Sequence, residues 1–239
     1  MKASFKYRSP HKELIDDPQA NPVELQSALR YIHFVNRSLG GYSALISGLS
    51  TLIQKNPAKQ QWNILDLGCG AGQELRVMQE WSGKISQNIQ YTGLDISECA
   101  LEVAKADPQL SNVSFICADA LDPAFDYSPY DIVTGTLFFH HLTTDQIMQL
   151  VKKWNQQKVA VLMNDLHRSP VAWILFNIFA RITAAPYMAL HDGSISIQRA
   201  FSKNDLSSFA TSGGFNHYSV QWRWAYRYLL LLWHEQNTG

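Results

Sequence analysis

This sequence lacks an excess of charge of either sign, and it has no basic run. Its 239 residues contain 20 Lys or Arg and 20 Asp or Glu, so the formal net charge is zero. A nucleic-acid partner would need a cluster of Lys and Arg to bind its phosphates, so we expect no such partner. Cysteine is also scarce, and Cys69, Cys99 and Cys117 have no paired spacing. This scarcity indicates a reducing compartment and no structural metal site.

Long hydrophobic runs are absent too. The longest apolar stretch, residues 171–190, is interrupted by Asn177, Arg181 and Pro186, so it is a poor candidate for a membrane-spanning helix. The first eight residues are basic but lack the apolar segment of a signal peptide. We therefore expect a cytoplasmic protein without stable membrane insertion. Hydrophobic residues still make up 46% of the chain, which suits one large α/β domain with additions.

Glycine, by contrast, is concentrated in the most informative part of the chain. Residues 63–72 read Asn-Ile-Leu-Asp-Leu-Gly-Cys-Gly-Ala-Gly, and residues 74–80 follow with a helical pattern. An apolar run that stops at glycines and continues as a helix predicts a strand, a tight turn and a helix, the start of a nucleotide-binding βαβ unit. Glycine suits this turn because the backbone bends sharply and a ligand approaches it without a Cβ in the way.

Two residues argue against a dinucleotide as the ligand of this turn. The dinucleotide fingerprint has a third glycine three places after the second, and here that place, counted from Gly68 and Gly70, is Gln73. Asp66 lies just before the turn, where its carboxylate would repel a pyrophosphate but attract a cation. S-adenosylmethionine carries an ammonium and a sulfonium group and fits both observations.

Three further strands are predicted, and each leads to a residue or loop suited to the same ligand. Residues 90–95 end in Asp95, whose carboxylate can accept both hydroxyls of a ribose. A third strand precedes Asp119 and Ala120, where a side chain could meet the adenine edge. Residues 130–134 are the fourth strand, and the chain beyond them lies at the carboxyl end of the sheet, where such sheets bind ligands.

Taken together, these segments resemble the class I S-adenosylmethionine-dependent methyltransferases. Four motifs carry the resemblance, at residues 65–72, 93–97, 117–120 and 130–133. The resemblance implies a Rossmann-like α/β fold, with a seven-stranded, mostly parallel sheet, an antiparallel last strand and helices on both faces. It also implies S-adenosyl-L-methionine as methyl donor and S-adenosyl-L-homocysteine as product.

The resemblance further implies roles for residues of the turn and of the strand ends. The backbone at Gly68 and Gly70 would hold the methionine part, supported by Asp66, while Cys69 is a small residue that fills the turn. The remaining implied contacts are those of Asp95 with the ribose, Ile96 with the adenine face, Asp119 and Ala120 with the adenine amine, and Thr134 with the methionine and the methyl group.

Helical patterns surround this core. We expect residues 1–57 to form an N-terminal helical cap and residues 58–239 to form the methyltransferase domain, with a helical insertion at about residues 168–200. The insertion begins with a helix that is apolar on nearly every face up to about residue 190, and such a helix is usually buried. A wall of the substrate pocket is the preferred interpretation. A homodimer interface and a membrane contact remain open.

Polar residues after the fifth strand are candidates for the chemistry on the acceptor. Residues 164–168 read Asn-Asp-Leu-His-Arg, and so many polar side chains suit a cleft better than a surface turn. His167 is the first candidate for a general base, because imidazole titrates near neutral pH. Asp165 either orients His167 or binds substrate, and Arg168 binds a carboxylate or polarises an enolate. The alternative is that Asp165 caps the next helix and that His167 only packs.

Three more histidines are candidates for the acceptor pocket. His140 and His141 follow the fourth strand; His140 is expected to line the pocket, and His141 is the second candidate for a base. Residues 164–170, together with His191, resemble a bacterial subset of these methyltransferases associated with polyketide or aromatic secondary metabolites. That resemblance implies O-methylation of a small apolar, hydroxylated acceptor. N- or C-methylation, and a catalytically silent cofactor-binding partner of another enzyme, remain open alternatives.

Overall fold

The computed structural model describes residues 5–17 and 19–235, so the expectation for the first eight residues lies partly outside the described residues. Within these ranges, the α-helices are α1 (Pro22–Ser38), α2 (Gly41–Gln54), α3 (Gln73–Ser82), α4 (Glu98–Lys105), α5 (Thr144–Gln156), α6 (Pro170–Ile182), α7 (Tyr187–Arg199) and α8 (Lys203–Ser212). The strands are β1 (Gln61–Leu67), β2 (Asn88–Asp95), β3 (Ser114–Cys117), β4 (Ile132–Thr136), β5 (Ala160–Leu166), β6 (His217–Arg223) and β7 (Arg227–Trp233). Short 3-10 helices are formed by Leu14–Asp16, Pro108–Leu110 and Phe139–His141.

The seven strands form one sheet in the order β3-β2-β1-β4-β5-β7-β6. β1 to β5 pair in parallel, whereas β7 runs antiparallel to both β5 and β6. The predicted fold class, with an antiparallel last strand, is therefore confirmed. The register places Asp66 of β1 opposite Gly93 of β2 and Thr134 of β4, so the residues expected to bind the ligand converge at one edge.

Helices cover both faces of the sheet, which explains why the central strands are apolar on both sides. Successive residues of β1 alternate between two hydrophobic clusters: Leu65 and Leu67 belong to one and Ile64 to the other. β7 does the same, with Leu230 in the first cluster and Leu229 in the second. The core therefore consists of two layers separated by the sheet.

Two helices precede β1, as the sequence predicts. The side chain of Asn21 caps α1 by accepting hydrogen bonds from the backbone N–H groups of Val23 and Glu24. Gly40, with a φ of 78°, turns the chain directly into α2. α2 packs against β5 and β7, and α1 packs against α7 of the insertion. The domain boundary at residue 57 remains a prediction.

The insertion differs from the prediction in two respects. It consists of two helices, α6 and α7, because Ala184 adopts a φ of 50° and Pro186 begins a new helix. In the single chain, α6 is buried on one face only. Its other face is exposed to solvent and carries Arg181 and the large aliphatic side chains of Val171, Ile174, Leu175, Ile178 and Ile182. None of the described helices is long and apolar enough to cross a bilayer.

Candidate functional site

The glycine turn after β1 has the geometry of a ligand cradle. Gly68 and Gly70 have φ values of 63° and 50°, a region that side chains disfavour. A Cβ placed on Gly70 would meet no atom within 4 Å, so open space lies beside this backbone. Cys69 is buried, and its N–H donates to the carbonyl of Leu94. Burial raises the pKa of the Cys69 thiol, which suits a packing residue and not a nucleophile.

Asp95 joins this turn to the next one. Its Oδ2 accepts a hydrogen bond of 2.8 Å from the N–H of Gly70, and its Oδ1 accepts one of 2.8 Å from the N–H of Ser97. A carboxylate oxygen has lone pairs for a second donor, so both oxygens remain able to accept the hydroxyls of a ribose. The adjacent Ile96 is exposed, and its side chain is free to cover a flat apolar ring.

The floor of the cradle is acidic. Asp66 is buried and accepts a hydrogen bond of 2.7 Å from the hydroxyl of Thr134. Burial raises the pKa of Asp66 well above its ordinary value, and Glu74 raises it further, while Thr134 opposes the shift. Burial also raises the pKa of Glu74. A buried carboxyl group beside a half-buried one favours a cationic ligand, because a nearby positive charge stabilises their ionised forms.

Two further polar side chains, Asn36 and Arg227, lie near Glu74, and the sequence pattern misses Arg227. The side-chain amide of Asn36 donates to Glu74 at 3.1 Å, while its own Oδ1 is buried without a hydrogen-bond partner among the described residues. The Nε and Nη1 groups of Arg227 are also buried, and neither has a hydrogen-bond partner among the described residues. Unpaired N–H donors can bind the carboxylate of an amino acid, and the nearby carboxyl groups can bind its ammonium group. Arg227 lies in an apolar strand, where the sequence pattern does not mark it as part of a site.

Asp119 and Ala120 lie at the end of β3, where the adenine is expected. The Asp119 side chain is exposed and accepts a hydrogen bond of 2.8 Å from the N–H of Leu121. Ala120 is buried, and its carbonyl accepts a hydrogen bond of 2.6 Å from the hydroxyl of Tyr127. Both residues are therefore fixed by the turn, and their contact with an adenine remains a prediction.

Asp165, at the end of β5, pairs with a different histidine from the one expected. Its Oδ1 accepts hydrogen bonds of 2.7 Å from Nδ1 of His140 and from the N–H of Leu166, and its Oδ2 accepts one from the N–H of His140. Burial raises the pKa of Asp165, but His140 and these hydrogen bonds outweigh burial and lower it. This corrects the expected pairing, because Asp165 orients His140 and not His167.

His167 lies one residue beyond β5, and its backbone is held by two segments, those of Tyr226 and Phe201. Its N–H donates to the carbonyl of Tyr226 at 2.9 Å, and it forms a bridge to Phe201. The ring stacks on that of Tyr226 and lies 4.7 Å from that of Tyr228. Its Nδ1 is buried without a hydrogen-bond partner in the described part of the chain. Burial lowers the pKa of His167, and Arg168 lowers it further.

Arg168 and His191, expected to bind substrate, both make contacts within the protein. The guanidinium of Arg168 donates to the carbonyls of Phe5 and Ala200 and forms an ion pair with Asp205. Nδ1 of His191 lies 2.8 Å from Oδ1 of Asp192, and its ring lies 6.1 Å from that of Tyr187. Arg168 therefore connects segments that are distant in sequence. A role for either residue in substrate binding remains a prediction.

The strand order, the glycine turn and the acids beside it define an α/β protein that binds a nucleoside cofactor at the carboxyl ends of its strands. Residues 64–157 match a family model described as a methyltransferase domain. This match agrees with the resemblance of the sequence to the class I S-adenosylmethionine-dependent methyltransferases.

Three known proteins illustrate the similarity. Malonyl-[acyl-carrier protein] O-methyltransferase of Bacillus anthracis is 26% identical over 171 residues, which are 72% of this chain and 55% of that protein. Ajmaline N-methyltransferase of Rauvolfia serpentina is 28% identical over 120 residues, which are 47% of this chain and 39% of that protein. The structure of the plantazolicin methyltransferase BpumL in complex with S-adenosylhomocysteine has a TM-score of 0.64 at 17% identity, over 88% of this chain and 77% of that one.

These similarities bear on the cofactor and the fold more than on the acceptor. The family match and the neighbour solved with S-adenosylhomocysteine indicate S-adenosylmethionine as the cofactor, which confirms the prediction. The acidic floor suits the positive charges of this cofactor, and the space beside Gly70 leaves the backbone of the turn open to a ligand. This chain spans only about half of the first curated relative and less of the second, and the two methylate different atoms, according to their names.

Proposed function

We propose that this protein is an active S-adenosylmethionine-dependent methyltransferase that acts on a small, largely apolar acceptor with an ionisable hydroxyl group, phenolic or polyketide-like. The observation that carries the proposal is the presence, at the carboxyl ends of the strands, of an acidic cradle and of the half-buried His167. One ring nitrogen of His167 has no hydrogen-bond partner within residues 5–17 and 19–235. The first suits a cationic cofactor, and the second suits removal of a proton from the acceptor.

The cofactor supplies an activated methyl group, so the protein has to hold the acceptor in line and receive its proton. Asp66 and Glu74 would bind the positive charges of the cofactor, and Asp95 would bind its ribose. Arg227 is suited to the carboxylate of the methionine part, because its buried Nε and Nη1 groups are unpaired among the described residues. Together these residues would hold the cofactor at the carboxyl ends of the parallel strands.

His167 is the proposed general base. Its lowered pKa keeps the ring unprotonated at neutral pH, which a base requires. His141, the second candidate, is less suited: burial lowers its pKa, but Asp16 and Glu13 outweigh burial and raise it. His141 is therefore more often protonated than His167 and less able to accept a proton. Asp165 takes part by holding His140 at the same edge.

An apolar acceptor is favoured by the aromatic rings around this edge. Phe138 lies against the glycine turn, and a Cβ on Gly68 would come within 2.5 Å of its ring. Tyr226 and Tyr228 flank His167. Such rings bury aromatic or aliphatic groups and leave a polar atom of the ligand to pair with the histidine. Because an amine would also find a base here, N-methylation is the alternative.

A methyl-transfer screen with phenols, hydroxy-lipids and amines, read out by mass spectrometry, tests the proposal. Transfer to a hydroxyl oxygen is expected. Transfer to nitrogen or carbon instead would select the alternative, and binding of S-adenosylhomocysteine without transfer to any acceptor would favour a silent partner protein. The absence of S-adenosylhomocysteine binding would reject the acidic cradle as the cofactor site.

Replacement of His167 by Gln tests the base. We expect turnover to fall by about 100- to 10,000-fold, the usual range for a lost general base, while S-adenosylhomocysteine binds as before. His217→Gln is the matched control, because His217 begins β6 and lies at the opposite edge of the sheet. Full activity of the His167→Gln protein would refute this assignment.

A further inference from the structure

Two adjacent histidines and a distant glutamate meet at the end of β4. His140 and His141 belong to the 3-10 helix Phe139–His141, and their rings lie 4.3 Å apart. Glu13 comes from the segment before α1 and is only 6% exposed. One ligand atom from each of the three side chains lies within 4.8 Å of the other two. The cluster combines a carboxylate and two imidazoles, which are common ligands of divalent transition metals.

The distances within the cluster fit metal ligands better than a direct hydrogen bond. Nε2 of His140 lies 3.5 Å from Oε1 of Glu13, and Nε2 of His141 lies 4.0 Å from Oε2. A hydrogen bond between charged groups has a length of about 2.7–2.9 Å. Two ligands that each lie about 2.0–2.1 Å from one tetrahedral ion are about 3.4 Å apart. Oε1 of Glu13 is buried and has no hydrogen-bond partner in the described part of the chain.

The outer nitrogens of both rings are held by carboxylates. Nδ1 of His140 lies 2.7 Å from Asp165, and Nδ1 of His141 lies 3.0 Å from Asp16. Because a carboxylate only accepts, each Nδ1 carries a hydrogen, and each Nε2 of a neutral ring presents its lone pair towards Glu13. Histidines that bind metals show this carboxylate–histidine arrangement, which fixes the tautomer and the orientation of the ring.

Side chains of α7 hold the backbone on both sides of the cluster, so its ligands are in place before any ion binds. The carboxylate of Asp192 accepts hydrogen bonds from the N–H groups of Leu14 and Ile15, directly after Glu13. Arg199 donates to the carbonyls of His140 and His141. These contacts fix both sides of the cluster, so an ion would need little rearrangement to bind.

We propose that Glu13, His140 and His141 bind one divalent transition-metal ion, for which Zn²⁺ is the reference ion. Three protein ligands leave a fourth position for water. The ion ties the segment that contains Glu13 to the end of β4 and so closes one side of the edge at which the cofactor binds. This inference rests on the side-chain geometry and is independent of the proposed function. No motif spacing predicts the site, because Glu13 is 127 residues away from His140.

Calorimetric titration of chelator-treated, metal-free protein with ZnCl₂ tests the site. We expect one equivalent of Zn²⁺ to bind. Co²⁺ in its place should give the visible absorption bands of a four-coordinate site. Asp16→Asn should weaken Zn²⁺ binding by about 10- to 100-fold, the range for a residue that holds a metal-bound histidine. Glu13→Gln removes a ligand and should weaken binding further.

Two controls separate this site from other contacts with the ion. Asp17→Asn alters an exposed carboxylate beside Asp16 and should leave binding unchanged, and so should His217→Gln at the far edge. Zn²⁺ should raise the melting temperature of the unaltered protein and not that of Glu13→Gln. S-adenosylhomocysteine binding of each variant is measured separately, so a loss of the cofactor site is distinguished from a loss of the metal. No uptake of Zn²⁺, or uptake that Glu13→Gln and Asp16→Asn leave unchanged, would overturn the proposal.

Discussion

The hydrogen bond between Thr134 and Asp66 offers a sharp test of the acidic cradle. The hydroxyl of Thr134 is 2.7 Å from Oδ1 of Asp66, and both residues are almost completely buried, with exposures of 0% and 2%. Thr134→Val removes the donor and keeps the shape of the side chain. A hydrogen bond contributes about 1 kcal/mol between neutral groups and about 1.5–3 kcal/mol to a charged group.

The size of the effect follows from the protonation state of Asp66. The raised pKa of Asp66 disfavours its ionised form in the free protein, whereas a bound cation favours that form. The bond with Thr134 is therefore stronger in the complex, by about 0.5–2 kcal/mol. Cofactor binding should weaken by about 2- to 30-fold in Thr134→Val.

Calorimetric titration with S-adenosylmethionine and with S-adenosylhomocysteine measures this loss. Thr136→Val is the matched control, because Thr136 lies two residues further along the same face of β4 and its hydroxyl is 3.4 Å from the amide of Asn164. We expect this control to bind both ligands within about twofold of the unaltered protein, since a change of that size is under 0.5 kcal/mol. Equal affinities of the Thr134→Val and unaltered proteins would refute the role of Asp66 as the cation-binding group.

Two further predictions concern protons and stability. Binding of S-adenosylmethionine should release protons, and it should tighten as the pH rises through the raised pKa values of Asp66 and Glu74, since binding favours their ionised forms. Titrations in buffers of different ionisation enthalpy measure the release, and equal heats in all buffers would contradict it. Arg168→Met should lower the free energy of unfolding by about 1–3 kcal/mol in urea titrations, because the carbonyls of Phe5 and Ala200 lose their donor, and should leave S-adenosylhomocysteine affinity unchanged. A raised KM for the acceptor without loss of stability would instead assign Arg168 to substrate binding.

Local patterns predicted most of the fold. The strand β1, the turn at Gly68 and the helix that follows are each specified by neighbouring residues, because a change from apolar run to glycine to helical period needs no information from elsewhere in the chain. Asp95 could be found for the same reason, since parallel strands bring their carboxyl ends to one edge. Asn21 and Thr143 cap α1 and α5, and both are residue types that mark the start of a helix in a sequence.

Contacts between distant segments could not be predicted in this way. Asp165 was expected beside His167, its close neighbour in sequence, but it pairs with His140, 25 residues earlier. Successive side chains of β5 point to opposite faces of the sheet, and this explains why the partner of Asp165 could not be predicted. The strand pattern states which residues share a face, but it does not state which loop covers that face. The same limit applies to Glu13 and Arg227, whose positions depend on how the first and last segments pack against the sheet.

The exposed face of α6 shows a different limit. Its aliphatic residues recur at helical spacing, so the sequence identifies an apolar surface, but it does not identify what covers that surface. In the described structure, Ile174 and Ile178 are each 50% exposed. A wall of the substrate pocket, a dimer interface and a membrane contact therefore remain predictions for this helix.

Arg227 lies near two acids, Glu74 of the cofactor cradle and Asp165, which holds His140. Burial lowers its pKa to about 10, and the carboxylates of Asp165 and Glu74 oppose the shift, so this guanidinium keeps its charge at neutral pH. Asp165 lies beside the proposed acceptor site, and Glu74 belongs to the cofactor cradle. A buried cation with unpaired donors is costly unless an anion approaches it. The carboxylate of the bound cofactor would supply that anion. Because binding would then neutralise Arg227, it would also change the electrostatic potential at Asp165, and the cofactor site and the acceptor site would be coupled through one side chain.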